Sequence, residues 1–178
     1  MAVDHVKSTQ VTNLDAVPRV PATTGEGGAG HLISNEGYST AVASSSADAT
    51  YQLVRVPSNA KVKELTFESE AQTAGKFDIG VYYATDGSSA SAVSALLAAA
   101  AIDQDFFATV IDCASAVVRT DILNESGTNT LDKRSQPLWQ ALGLSTDPGG
   151  NFDIVATVKT TAVTTGTGKF GVAVKYVM

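Results

Sequence analysis

The 178-residue chain has a formal net charge of -6 and only 17% charged residues, which argues against a nucleic-acid partner and favours strands and tight turns. Its single cysteine, Cys113, cannot form an internal disulfide, so we expect it to behave as a small hydrophobic core residue. The opening MAVDHVKSTQ lacks the apolar core of a signal peptide, and the apolar run at 95–102 is too short to cross a bilayer. We therefore expect synthesis in the cytoplasm and no membrane partner.

Residues 1–48 differ in composition from the rest of the chain. Two prolines and the glycine cluster GEGGAG at 25–30 interrupt any regular element, and the polar stretch SSSADAT follows at 44–50. We predict an extended N-terminal arm over 1–48 and a β-sandwich domain over 49–178. The arm is either a tail without a role or a segment ordered against a neighbouring subunit. A short apolar island favours the second reading and makes Leu32 and Ile33 candidate interface residues.

Strand patterns begin after the arm. TYQLVRV, at 50–56, predicts a strand with Gln52 on one face and Arg55 on the other. KVKELTFESE, at 61–70, predicts a second strand, in which a change in the phase of the apolar residues indicates a bulge near Glu64.

A glycine, a polar residue and a phenylalanine open three further strand patterns, at 75–83, 150–158 and 168–176. In each, alternate residues after the glycine are apolar, so the phenylalanine begins a row on one face of the strand. The spacing is irregular, which indicates a shared strand role and not a structural repeat. The predicted inward rows are Phe77, Ile79, Val81 and Tyr83; Phe152, Ile154, Ala156 and Val158; and Phe170, Val172, Val174 and Tyr176.

The remaining segments complete the predicted fold. Residues 106–112 and 116–123 are predicted strands, and the alanine-rich stretch at 88–102 predicts a short helix. A brief helical turn can follow Pro137. Together these patterns predict a mainly β protein: an antiparallel β-sandwich, jelly-roll-like, with one short helix and an extended N-terminal arm.

Catalytic patterns are weak. Both histidines lie in the predicted arm, which argues against a hydrolytic triad and against a zinc site. Glu68 and Glu70 share a predicted strand face, with Asp78 on the following strand, so an acid and base pair is conceivable. Such a pair needs a cleft lined with aromatic residues, and the sole tryptophan is distant in sequence. We therefore interpret these carboxylates as a solvated strand face and predict no enzyme activity, no cofactor and no metal.

Two segments carry a family resemblance. Residues 129–158 resemble a pattern found in structural proteins of tailed bacteriophages, and residues 56–87 are similar to the same group. The resemblance covers roughly a third of the chain and includes no catalytic motif. Its elements are Pro137-Leu138-Trp139, Leu142-Gly143-Leu144, the turn Asp147-Pro148-Gly149-Gly150 and the strand Phe152-Asp153-Ile154.

The resemblance implies a non-enzymatic virion protein, most plausibly a capsid decoration or cement protein on the outer surface of a phage head. Its expected partners are the major capsid protein and further copies of itself, with a homotrimer favoured. Two alternatives stay open. One is another virion component, such as a tail, neck or fibre-associated protein; the other is a carbohydrate-binding β-sandwich module, which would need an exposed aromatic platform on one sheet face.

The triplet that contains the tryptophan has two interpretations. As candidate interface residues, Leu138 and Trp139 would anchor a partner, because tryptophan is enriched at binding hot spots. Alternatively, Trp139 closes one end of the sandwich as part of its core. Replacement of Trp139 by alanine separates the two, since loss of a core side chain of this size costs about 3 kcal/mol or more.

Overall fold

Two antiparallel sheets of four strands each face one another in the computed structural model. The structure describes residues 31–42, 45, 47–72, 74–84, 101–159 and 168–178. The strands are β1 (Leu32–Thr40), β2 (Thr50–Pro57), β3 (Lys61–Ser69), β4 (Lys76–Tyr83), β5 (Ala101–Asp112), β6 (Val117–Asp121), β7 (Asn151–Val158) and β8 (Lys169–Val177). A 3₁₀ turn, η1 (Lys133–Ser135), and one short helix, α1 (Leu138–Ala141), lie between β6 and β7.

The strand order is that of a jelly roll. The first sheet has the order β1-β8-β3-β6 and the second β2-β7-β4-β5. The pairs are nested: β4 pairs with β5, β3 with β6, β2 with β7 and β1 with β8. Such nesting results when one long antiparallel hairpin folds over on itself, so that alternate pairs fall in alternate sheets. The prediction of a mainly β, jelly-roll-like antiparallel sandwich is therefore confirmed, and the described residues contain one short helix.

The three phenylalanine strands supply the two inner faces. Phe77 and Phe152 start inward rows on the second sheet, and Phe170 starts one on the first. The Phe77 and Phe170 rings stack across the core with centroids 4.7 Å apart. Of the predicted inward residues, only Tyr83 is exposed. The shared sequence pattern thus reflects a shared task, which is to fill the space between the sheets.

Part of the predicted arm belongs to the sandwich. Residues 32–40 form β1, which pairs with β8 from Leu32 opposite Val177 to Thr40 opposite Lys169. The predicted boundary at residue 49 therefore falls after the first strand of the sheet. The pattern of this strand is obscure because its residues are mostly exposed, so no apolar alternation distinguishes it from a polar loop. Residues 1–30 lie outside the described part of the chain.

The helical predictions divide into two outcomes. A helical turn does follow Pro137, as α1, and the bulge near Glu64 is confirmed by a register shift between Val62 and Glu64. The helix predicted at 88–102 is wrong at its end, because Ala101 and Ile102 begin β5. Residues 88–100 lie outside the described part of the chain. No helix among the described residues is long and apolar enough to span a membrane.

Candidate interaction surface

The outer face of the first sheet contains a groove, here called the outer groove. It consists of two adjoining depressions with volumes of 590 and 430 Å³ that share Tyr38, Glu68, Arg119 and Gly171. These four residues come from the four strands: Tyr38 lies opposite Gly171, Gly171 lies opposite Glu68, and Arg119 follows on β6. The groove therefore crosses the whole width of the sheet.

The floor of the outer groove is low and its edges are high. Gly171 and Ala173, on the central strand β8, have little or no side chain to fill the middle of the face. Tyr38 on one edge strand and Val118 on the other are 76% and 83% exposed. A sheet face with small central residues and large edge residues is concave, which leaves its apolar side chains accessible to a partner.

The charged side chains of the outer groove are largely unengaged. Within the described part of the chain, no ion pair or side-chain hydrogen bond involves Glu36, Glu68 or Arg119. Lys169 lies over the Tyr38 ring, with its ammonium 5.9 Å from the ring centroid. Because both signs of charge are present without internal partners, these groups can pair with charges on another molecule at little cost to the fold.

The outer face of the second sheet is covered. Tyr82 and Val155 are 1% and 0% exposed and form a small cluster separate from the main core. A β-carbon added to Gly80 would lie 2.2 Å from the carbonyl carbon of Gln104, so the β5 backbone passes directly above this glycine. This crossing is possible because β5 advances from Ala108 to Asp103 while β4 advances only from Ile79 to Val81, which is a large bulge.

Two buried aspartates secure this covered face. Asp153 accepts bonds from Arg55 Nε at 2.7 Å and Arg55 Nη2 at 2.9 Å, with a third from Gln52 Nε2. The prediction that Gln52 and Arg55 occupy opposite faces is wrong, because the β2–β7 register shifts between Gln52 and Val54. A bidentate arginine contact satisfies a carboxylate that would be costly to bury alone.

Asp78 is the second buried aspartate on the covered face. Its side chain pairs with Lys159 Nζ at 3.2 Å and accepts the backbone N–H of Val110 at 2.8 Å. Val110 has φ of 54°, a strained conformation for a β-branched residue that this bond helps to hold. The Asp78 side chain raises the pKa of Lys159 by accepting its hydrogen bond and by its charge.

The carboxylates considered for acid and base catalysis divide between the two faces: Glu68 and Glu70 both line the outer groove, whereas Asp78 is 2% exposed, so the prediction of a solvated strand face is wrong for Asp78. Glu68 lies on β3 of the first sheet and Asp78 on β4 of the second, so they are on separate sheets. Glu70 accepts the backbone N–H of Lys169. No group of three or more histidine, cysteine, aspartate or glutamate residues suited to a metal ion occurs in the described ranges. The short separation of Glu68 and Asp78 in sequence predicted proximity because consecutive strands often pair. Here the consecutive strands β3 and β4 belong to opposite sheets.

Cys113 lies in the core, as predicted. Its side chain is fully buried, and this burial raises the thiol pKa to about 11. The thiol is therefore protonated at neutral pH and a poor nucleophile.

The four predicted interface residues are in two places. Leu138 is buried in the core, and Trp139 is partly buried and packs against the core. The backbone N–H of Leu138 donates to the carbonyl of Ala60, and that of Trp139 donates to the carbonyl of Ser58. This packing favours the interpretation of Trp139 as a plug at one end of the sandwich. Leu32 and Ile33 are 60% and 37% exposed at the start of β1. None of the four lines the outer groove.

Sequence reasoning placed Glu68 on a solvated strand face but missed the outer groove that this residue lines. Tyr38, Val118 and Arg119 gave no signal of their own, since single exposed aromatic or aliphatic residues are common. A signal did exist in β8, where Gly171 and Ala173 alternate with the large inward row of Phe170, Val172 and Val174. Small residues on the outward face of a central strand indicate a depression or a close approach of another chain.

Comparison with known proteins shows the fold alone. No family model matches the chain, and no curated protein matches it. Among solved structures, a chain titled "Cyanophage Pam1 capsid asymmetric unit" is similar with 17% identity and a TM-score of 0.52, over 92% of this chain and 96% of that chain. A chain titled "Acidic stable capsid structure of Helicobacter pylori bacteriophage KHP30" has 14% identity and a TM-score of 0.36, over 84% of this chain and 94% of that chain.

Proposed function

We propose that this chain is a non-enzymatic structural protein of a bacteriophage virion, which binds the outer surface of the head as a decoration or cement protein. The observation that carries the proposal is the nearly end-to-end match with one chain of a cyanophage capsid asymmetric unit, over 92% of this chain and 96% of that one. That chain is therefore of nearly this size. The resemblance of residues 56–87 and 129–158 to tailed-phage structural proteins supports the same conclusion independently.

The physical task of such a protein is to hold neighbouring capsomers together. A β-sandwich that binds across a seam adds contact area where the pressure of packed DNA acts to separate the capsomers. The partner would be the major capsid protein, and local threefold positions of the shell would favour a homotrimer, because they present three equivalent surfaces. The contact with an adjacent subunit would involve residues 1–30 together with Leu32 and Ile33, which follow them in sequence and are exposed.

The environment of the ionisable groups supports a non-enzymatic role. The buried carboxylates Asp78 and Asp153 are engaged by Lys159 and Arg55, and the Cys113 thiol has a pKa raised to about 11. A catalytic group needs both access to a substrate and a pKa near the working pH. These groups are arranged to stabilise the fold.

The direct test is co-sedimentation of the purified protein with expanded DNA-free shells of the phage that encodes it. We expect saturable binding at a fixed number of copies per capsomer and a higher temperature of shell disruption once bound. Binding to isolated tails and not to shells would overturn the head assignment in favour of a tail or neck component.

A truncated protein tests the role of the N-terminal segment. The truncation should remove residues 1–30 only, because removal of the whole predicted arm, 1–48, would delete β1. We expect the truncated protein to keep its unfolding temperature and to bind shells at least tenfold more weakly, since a tethered second contact contributes avidity. Equal binding by the truncated and full-length proteins would refute a role for this segment.

Trp139 provides a control for folding in these assays. We expect Trp139→Ala to lower the free energy of unfolding by about 3 kcal/mol, since the side chain packs on the core. Its shell binding, measured below its unfolding temperature, should be unchanged. Selective loss of shell binding with normal stability would instead identify Trp139 as an interface anchor.

A further inference from the structure

We propose that copies of this chain associate into a closed ring of three through the two edges of the outer groove. In this arrangement Glu36 and Tyr38, at the β1 edge of one copy, contact Val118 and Arg119, at the β6 edge of the next. The inference deepens the proposed function and rests on it for the number three, which matches the local threefold positions of a shell. The contact itself is argued from the described residues.

The apolar groups at the two edges lack a partner. Tyr38 and Val118 are the two most exposed of the large hydrophobic residues in the described ranges, at 76% and 83%. They lie on opposite edge strands of the same sheet. Exposed apolar side chains on edge strands favour association, and soluble proteins usually cover or charge such edges. Packing of the Tyr38 ring of one copy against the Val118 isopropyl group of the next would remove both groups from water.

The two edges carry one complementary pair of charges. Glu36 on β1 and Arg119 on β6 have opposite signs, and neither has an ion-pair partner among the described residues. When one edge of a surface complements the opposite edge of the same surface, the contact is head-to-tail, and it either closes into a ring or propagates into a fibre. Contact of two identical edges would place Glu36 against Glu36 or Arg119 against Arg119, which is disfavoured by repulsion of like charges.

The hollow between the edges favours a ring over a face-to-face pair. Two copies packed with these faces together would enclose the depressions of 590 and 430 Å³ from both sides, because Gly171 and Ala173 cannot fill them. Enclosed space of this size loses packing contacts and destabilises an interface. In a ring only the raised edges touch, and the hollow faces the open axis.

The contact uses side chains on the outward side of β1. The inward side of β1 is covered by β2: the side-chain amide of Asn35 donates to the carbonyl of Arg55 at 3.3 Å, and a β-carbon added to Gly37 would contact the Leu53 carbonyl. The outward side of β1, where Glu36 and Tyr38 lie opposite Ala173 and Gly171, is open to a neighbouring copy.

Charge reversal tests the contact. Sedimentation velocity of the full-length wild-type protein should give a species of three times the 18.3 kDa chain mass. We expect Glu36→Arg or Arg119→Glu alone to weaken association at least tenfold, because each places like charges at every contact. The double variant restores opposite charges at every contact and should recover the trimer. Leu131→Ser, which removes a 74% exposed side chain away from the groove, is the matched control and should remain trimeric.

A mixture of the two single variants distinguishes a ring of three from a twofold pair. Opposite charges then occur only where the two variants alternate, and alternation is impossible around an odd ring. We expect the equimolar mixture to remain dissociated while the double variant is trimeric. Recovery of a stable pair in the mixture would overturn the ring, and normal association of either single variant would overturn the contact.

The result is separable from the fate of the proposed function. A trimer that breaks as described but ignores shells would support this inference and refute shell attachment. A wild-type protein that stays monomeric at every concentration up to the solubility limit would refute the ring. The outer groove would then be free for another occupant, such as a carbohydrate stacked on Tyr38. Shell binding by a monomer would refute the ring while keeping the decoration proposal.

Discussion

The outer faces of the two sheets differ in whether their polar and aromatic side chains are engaged. On the second sheet, Tyr82 is buried and bonded to Thr157 at 2.8 Å, while Asp153 is held by Arg55. On the first, Tyr38 is 76% exposed and Arg119 has no partner among the described residues. Residues of the same types thus stabilise the fold on one face and remain available for contact on the other.

The difference arises from β5 and β6, each of which forms one edge of its sheet. β5 is long and bulged, so its backbone at Asp103 and Gln104 lies over Gly80 and closes the second sheet. β6, from Val117 to Asp121, is short and leaves the first sheet open. The sandwich therefore has one closed and one open outer face. The following substitutions compare the two faces in matched pairs.

The largest expected effect is at Gly80. In Gly80→Val the first added carbon would lie 2.2 Å from the Gln104 backbone, which cannot move without opening the covering segment. We expect a loss of about 3 kcal/mol in the free energy of unfolding, measured by urea denaturation. The matched change on the open face, Ala173→Val, adds carbons above the groove floor and should cost less than about 0.5 kcal/mol. Equal losses would show that both faces are closed.

The next largest expected effect is the difference between replacing Arg55 and replacing Arg119. Arg55→Met leaves the Asp153 carboxylate, whose side chain is 3% exposed, without its bidentate partner. We expect a loss of about 2 to 3 kcal/mol, since a buried charge is left poorly compensated. Arg119→Met, on the open face, should change the unfolding free energy of the monomer by less than about 0.5 kcal/mol. A small effect at Arg55 would mean that Gln52 alone satisfies the carboxylate.

The tyrosines provide a smaller contrast. Tyr82→Phe removes the buried hydroxyl that shares a hydrogen bond with Thr157 and leaves the threonine hydroxyl unpaired. We expect a loss of about 1 to 2 kcal/mol in thermal or chemical unfolding. Tyr38→Phe removes a hydroxyl that faces solvent and should be neutral within about 0.3 kcal/mol. If the Tyr38 variant is the more damaging of the two, the assignment of open and closed faces is reversed.

A pH dependence provides the smallest effect. Burial, and then the neighbouring Asp105, raise the pKa of Asp103 above 3.8. Ionisation of Asp103 therefore opposes folding at neutral pH, and this penalty disappears below the unfolded value of 3.8. We expect Asp103→Asn to stabilise the protein by less than about 1 kcal/mol at pH 7 and to have no effect near pH 3.

Asp132 is a control with the opposite sign. A hydrogen bond from Thr130 lowers the pKa of this carboxyl, so its ionised form favours folding above the unfolded pKa and the gain is lost as pH falls. Asp132→Asn should therefore slightly destabilise the protein at pH 7 and be neutral in acid. The same sign of effect for both variants would contradict the stated origin of the Asp103 shift.

Much of the sandwich could be predicted from local pattern. The inward rows that start at Phe77, Phe152 and Phe170 follow from the twofold alternation of a strand, which is a property of adjacent residues. The bulge near Glu64 follows equally, because a bulge changes the phase of that alternation. β1 escaped prediction since its outward and inward residues are both exposed enough to blur the pattern. A strand of that kind is recognised only by its partner.

The sequence by itself determined seven of the eight described strands, the core rows and the absence of an internal disulfide, because these depend on neighbours in the chain or on composition. Only the tertiary structure decided which outward residues meet. Tyr38 lies opposite Gly171, and Gln52 and Arg55 both reach Asp153. These residues are brought together by nested pairing of distant strands and by a register shift in β2, and register depends on the whole hairpin and not on any single segment.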